Sequence, residues 1–120
     1  MRLFSGYAML KSVNEIKLDL IDESKALNSK LFSLQRLLIL SSLKSFGQDG
    51  VTYRELKAGL GLDDGILFSN LKALQEMRYI KGNKIKAENM DMTAFVLTEE
   101  GNEAFKSVKQ WLKKLVDEGG

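Results

Sequence analysis

Between Gly65 and Leu74 the chain reads GILFSNLKAL, and Phe68, Ser69, Asn70 and Lys72 are its best-equipped residues for chemistry. A hydroxyl and a carboxamide can hydrogen-bond base edges or phosphates, a lysine suits a phosphate or a guanine, and a phenyl ring can lie against thymine methyls. The same four residues also fit an inert surface, with Phe68 packed on a neighbouring helix or a second subunit and Ser69-Asn70 merely solvated. Other chemistries have less to work with. The chain has no cysteine and no histidine, which removes thiolate nucleophiles, imidazole bases and the usual ligands of transition metals. Carboxylate pairs at Asp63-Asp64 and Glu99-Glu100 each open a helix, where capping and the helix dipole account for them. No phosphate-binding loop, calcium loop, nucleophile elbow or dinucleotide fingerprint occurs. The chain is expected not to be an enzyme and to need no metal or cofactor.

The elements that hold these residues follow from the apolar spacing. Leu67, Leu71, Leu74 and Met77 share one face of a helix, so Gly65, Ile66, Phe68, Ser69, Lys72 and Gln75 point outward and Asn70 lies at the boundary. Upstream, TYRELKAGL starts with Thr52 and Glu55 spaced as a capping box and stops near Gly59-Leu60-Gly61. Asp63 or Asp64 is placed to cap the next helix. A tight turn around Gly61-Leu62-Asp63 makes the pair a helix-turn-helix, a motif whose second helix can enter the major groove of DNA. There Gly65 would let the backbone approach closely. Tyr53 and Arg54 open the first helix of the motif, where they can abut the DNA backbone or simply be a half-buried tyrosine and a solvated arginine.

A helix is predicted over 33–46, with Leu34, Leu37, Leu38, Leu40, Leu43 and Phe46 on its apolar face and Gly47 as its stop. Two antiparallel strands are predicted at about 79–86 and 92–98, joined by the polar AENMD. Lys81, Lys84 and Lys86 line them, suited to phosphates or to an edge that resists aggregation. Thr98 is placed to cap a last helix with a stripe of Ala104, Phe105, Val108, Trp111, Leu112, Leu115 and Val116. A first helix over 9–27 carries a narrow face of Leu10, Val13, Ile16 (or Lys17), Leu20 and Leu27. These flanking helices offer more apolar surface than one small domain needs. Leu10, Val13, Leu20, Val108, Trp111, Leu112 and Leu115 are therefore expected in a homodimer interface, the alternative being that Trp111 packs within its own domain.

The 120 residues suffice for one core. They divide into a helical extension over 1–30, a central domain over 31–99 and a C-terminal helix over 100–120 expected to dimerise. The longest apolar run, LLILSSL with its flanks, is far short of a membrane span, and MRLFSGYAML is too mixed for a signal peptide. A soluble, cytoplasmic protein is expected. A net charge of +2 by itself says little about nucleic acid.

The fold class is mainly α with a small β-hairpin, three helices followed by two strands, with an extra helix at either end. The ordered segments LQRLLILSSL, VTYRELKAGLGLDDGILFSNLKALQEMRYI and FVLTEEGNEAF, over residues 33–105, resemble a winged helix-turn-helix transcriptional regulator of the ArsR/MarR-like kind. LTEEG at 97–101, after a hairpin and before a helix, is the most specific piece. The resemblance implies a homodimer that binds double-stranded DNA sequence-specifically, with the helix at about 64–77 in the major groove. The small-molecule effector, if any, stays unknown. Tyr53, Arg54, Gly65, Phe68, Ser69, Asn70, Lys72, Lys81, Lys84 and Lys86 would carry the DNA contact. A protein-interaction module on the same scaffold is the competing reading. The chain departs from the family pattern in having Arg78 where a glycine usually precedes the aromatic that opens the wing. It also has Glu88 and Asp91 near a wing tip that is often arginine-rich.

Overall fold

The computed structural model describes residues 18–119, which form two compact units. One runs from Ser29 to Phe105; the other comprises the described residues up to Asn28 together with those from Lys106 onward. The elements in chain order are α1 (the described helical residues 18–24), α2 (Leu34–Phe46), β1 (Val51–Thr52), α3 (Tyr53–Leu60), α4 (Asp64–Glu76), β2 (Ile80–Ala87), β3 (Met90–Leu97) and α5 (Glu99–Gly119). Leu10, Val13, Ile16 and Lys17 lie outside the described residues.

In the larger unit α2, α3 and α4 enclose a core of Ile39, Leu40, Leu43, Leu56, Leu67, Leu71 and Leu74. The sheet, in the order β1-β3-β2, closes it with Val51, Ile80, Ala94, Phe95 and Val96. This is the expected winged-helix arrangement, mostly helical with a small antiparallel sheet. Ser33 starts α2 by accepting the Arg36 amide, and Gly47 ends it at φ +57°. The face that α2 buries differs from the prediction. Ile39 is wholly buried, whereas Leu34 and Phe46 are exposed. Burial falls on Ile39 and on the expected Leu40 and Leu43, and leucines at 34 and 38 lie on another side of the same helix.

The Thr52 capping box is complete. The Thr52 hydroxyl accepts the Glu55 amide, and Glu55 returns to the Thr52 amide at 2.9 Å. These bonds to Thr52, backbone first, hold the Glu55 carboxyl below its usual pKa. Gly61 in the left-handed region ends α3 and turns the chain into α4. Asp63 occupies the N-cap position of α4 without a side-chain capping bond, so the expected cap is positional only.

The wing is a tighter object than predicted. β2 and β3 pair from Ile80↔Leu97 to Ala87↔Met90, leaving only Glu88 and Asn89 in the loop. Both have positive φ, as a two-residue hairpin turn of the type I′ family requires. β1 was not foreseen. Its two residues pair with Phe95 and Ala94, too short a run to show any alternation.

The LTEEG segment has a clear physical role. The Thr98 hydroxyl accepts the Gly101 amide at 2.9 Å and donates to the Arg78 carbonyl at 2.7 Å, tying the start of α5 to the end of α4. Gly101 packs on the Tyr79 carbonyl so closely that a Cβ would stand 1.9 Å from its oxygen.

In the second unit, the Trp111 indole N–H donates to the Leu20 carbonyl at 2.8 Å, and Lys114 pairs with Glu23. Leu20 and Val108 are buried, while Leu18, Ile21, Leu115 and Val116 are exposed. Among the described residues no helix is long and apolar enough to cross a membrane.

Candidate nucleic-acid interface

The outward side of α4 matches the helical phasing. Gly65, Ile66, Phe68, Ser69, Lys72 and Gln75 are all exposed, Phe68 at 61%. Space around Gly65 is open, with nothing within 4 Å of where a Cβ would sit. Ser69 donates its hydroxyl hydrogen to the Ile66 carbonyl at 3.2 Å, which leaves its oxygen able to accept from an outside donor.

Asn70, expected among the groups that address bases, is engaged inside the protein. Its oxygen accepts from Arg36 Nε at 2.8 Å and its amide nitrogen donates to the Ile66 carbonyl at 2.8 Å. Arg36 also reaches the Lys30 carbonyl at 2.7 Å. Asn70 thus fixes α4 against α2 and is a positioning residue. Arg36 and Asn70 are far apart in sequence, and no periodic signal links them.

At the turn of the motif, Asp64 gathers two partners. Tyr53 Oη donates to Asp64 Oδ1 at 3.0 Å and to its carbonyl at 3.2 Å, and Lys57 Nζ meets Asp64 Oδ2 at 3.1 Å. The hydrogen bonds from Lys57, then from Tyr53, lower the Asp64 pKa. Partial desolvation, and then the bond to Asp64, raise that of Tyr53. Asp64 therefore does more than favour the helix dipole: it joins α3 to α4. Arg54, one residue on, is exposed on the first turn of α3.

The three wing lysines do not form one surface. Alternation along β2 puts Lys84 and Lys86 on the side of Gly82, and Lys81 on the other. A Cβ on Gly82 would lie 3.7 Å from Gln75 Nε2, so the Gly82 side is the one turned toward α4. Lys72, Lys84 and Lys86 are therefore brought to one side, and Lys81 leaves the group. Lys86 stands directly across from Asp91.

Between α4 and β3 lies a cleft of about 480 Å³ lined by Tyr53, Phe68, Leu71, Lys72, Gln75, Thr93 and Phe95. Sequence reasoning missed Thr93 and Phe95 as parts of this surface, since only the hairpin register brings them beside the helix. Among the described residues no cluster of acidic side chains is arranged to hold a metal ion.

Residues 35–116 match a family described as the winged helix DNA-binding domain. Among solved structures, Staphylococcus aureus MepR in complex with DNA is similar with a TM-score of 0.64 and 15% identity, over 91% of this chain and 85% of that one. A PadR-like transcription factor from Bacteroides fragilis is similar with a TM-score of 0.57 and 12% identity, over 69% of this chain and 86% of that one. Among curated proteins, the DNA-directed RNA polymerase III subunit RPC6 of Saccharomyces cerevisiae is 28% identical over 76 residues. That match covers 63% of this chain and 24% of the subunit, so the chain spans about a quarter of the length of this relative.

Proposed function

The chain belongs to the winged helix DNA-binding domain family, and from that premise we propose that it is a homodimeric transcription regulator that binds double-stranded DNA sequence-specifically. The observation that carries the reading is the juxtaposition of the exposed α4 stripe with Lys84 and Lys86 on the α4 side of the wing. In this mechanism the N-terminal half of α4 enters the major groove. Gly65 allows close approach, the Ser69 oxygen accepts from an adenine or cytosine amino group, and Phe68 meets thymine methyls. Lys72, Arg54, Lys84 and Lys86 neutralise phosphates and release counterions. Two-fold pairing of subunits would present two α4 helices to consecutive major grooves. That MepR, of similar fold, forms a complex with DNA supports the reading.

Binding to a pool of random duplexes at two salt concentrations tests it. Lys84→Ala with Lys86→Ala should weaken all sequences alike and reduce the salt slope by about two units, roughly one per phosphate contact. Ser69→Ala should instead change preference among sequences by about 1–3 kcal/mol at a contacted base pair. A salt slope untouched by the lysine changes removes the wing from the DNA.

A second reading, a protein-interaction module, is favoured by Glu88 and Asp91 near the wing tip and by the relative that is a subunit of a larger polymerase. It takes the lead when neither the lysine nor the serine changes alter DNA binding.

A further inference from the structure

The cleft between α4 and β3 is oddly furnished for a surface that meets only duplex DNA. Phe68, Lys72 and Gln75 form the stripe of α4 that turns toward the wing, and Tyr53, Leu71, Thr93 and Phe95 complete the walls. Three of the seven lining residues are aromatic. A helix seated in the major groove sets this flank against the backbone strand that walls the groove, where an intact duplex offers phosphate and sugar and, to Phe68, at most a thymine methyl. Such groups leave aromatic walls unfilled. The volume, about 480 Å³, is far more than a methyl group needs and ample for a planar base.

The strand opposite keeps the space open. Gly82 pairs with Phe95 in β3, and a Cβ at Gly82 would come within 2.6 Å of the Thr93 methyl and 3.5 Å of the Phe95 ring. Without a side chain there, the Thr93 methyl and the near edge of the otherwise buried Phe95 ring line the cleft. Lys72 lies in the wall and Lys84 on the same side of the sheet, giving a polyanion a path past the cleft. Gln75 and Thr93 can bond the edge of a base. Aromatic faces beside a cationic track are how single-stranded nucleic acid is held.

We propose that this cleft holds one unstacked nucleobase, so that the protein prefers DNA with a locally melted segment to a perfect duplex. The inference rests on α4 and the wing being the DNA-facing surface, and it names what that surface takes beyond a paired groove.

The test uses the full chain and fluorescence anisotropy with two DNAs, a mixed-sequence duplex and the same duplex with a short unpaired centre. Stacking of one base should make the opened DNA bind about tenfold tighter. Phe68→Ala should bring the ratio of the two affinities close to one, and Phe68→Tyr, which keeps the ring, should preserve it. Phe68 is exposed, so neither change threatens the core. Equal affinity for the two DNAs, or a preference that survives Phe68→Ala, overturns the inference and leaves the duplex reading in place. Binding to neither DNA overturns both.

Discussion

Arg78 has φ +66°, where a side chain is sterically disfavoured. It occupies the position after the α4 cap at which chains usually place glycine. The Tyr79 amide returns to the Leu74 carbonyl at 3.0 Å and the Arg78 amide to Gln75 at 2.9 Å, the paired bonds of a Schellman ending. Relief of about 1–2 kcal/mol of backbone strain is partly offset by the greater unfolded-state freedom of glycine, about 0.4–1 kcal/mol. Arg78→Gly should therefore raise the urea midpoint modestly, by a net gain of about 1 kcal/mol or less. Gly101 is the opposite case. Gly101→Ala drives a methyl into the Tyr79 carbonyl and should cost about 3 kcal/mol, the upper end for overpacking, read in the same unfolding experiment. Gly65→Ala separates folding from binding. The free protein has room for the methyl, and helix propensity favours alanine by up to about 1 kcal/mol. Thermal melting should show no loss of stability, while anisotropy should show weaker DNA binding. An affinity unchanged by Gly65→Ala would place the α4 start away from the groove.

At the scale of elements, the capping box and the Asp64 bridge make α3 and its turn sensitive to acid. Glu55 and Asp64 both have lowered pKa values in the fold. Their contribution is complete above the unfolded carboxylate values, about 4, and is lost as pH falls through the folded ones. Unfolding monitored by circular dichroism should show stability flat near neutrality and falling in acid, and Glu55→Gln should reduce that slope. Tyr53, raised instead, contributes below its unfolded value near 10 and loses the contribution as pH rises through the folded one. Thr52→Ala should cost about 1 kcal/mol. This capping box was legible because its residues are neighbours, as was the phase of α4, whose leucines repeat at helical spacing. The phase of α2 was not: leucines surround that helix, and only packing selects Ile39 over Leu34. The hairpin loop was drawn too long because Glu88-Asn89 lacks the Asn-Gly signature of its turn. The sites read from the chain shared this limit. Outward residues of α4 could be counted off the helix period, and strand alternation already sets Lys81 opposite Lys84, but the Arg36–Asn70 bond and the side of the wing that faces α4 depend on long-range contacts.

At the scale of the whole molecule, the proposed homodimer needs an apolar face on each subunit. In the unit that contains Trp111, the indole already serves an intrachain bond to Leu20, so Trp111→Ala would damage the subunit itself. The exposed Leu115 and Val116, at 38% and 67%, make the cleaner test. Leu115→Glu with Val116→Glu should convert a dimer into a folded monomer in sedimentation velocity, with the circular dichroism spectrum preserved. A monomeric wild type at high micromolar concentration removes the homodimer from the proposed function and leaves the groove contacts to a single α4.

The bridge from Lys57 to Asp64 also bears on how this protein would meet a polyanion. Asp64 is a tethered anion that already occupies a lysine beside the start of α4. An incoming phosphate must displace it, and exchange of one anion for another frees no bound salt ion. Both side chains are largely exposed, so the bond is weak and easily traded, yet its tether keeps the competitor always at hand. Counting lysines along the surface therefore overstates the ionic response. Asp64→Asn should tighten binding to every sequence alike and steepen the salt dependence by about one unit. On the proposed reading, the carboxylate would act as a built-in decoy that holds down indiscriminate attachment to DNA.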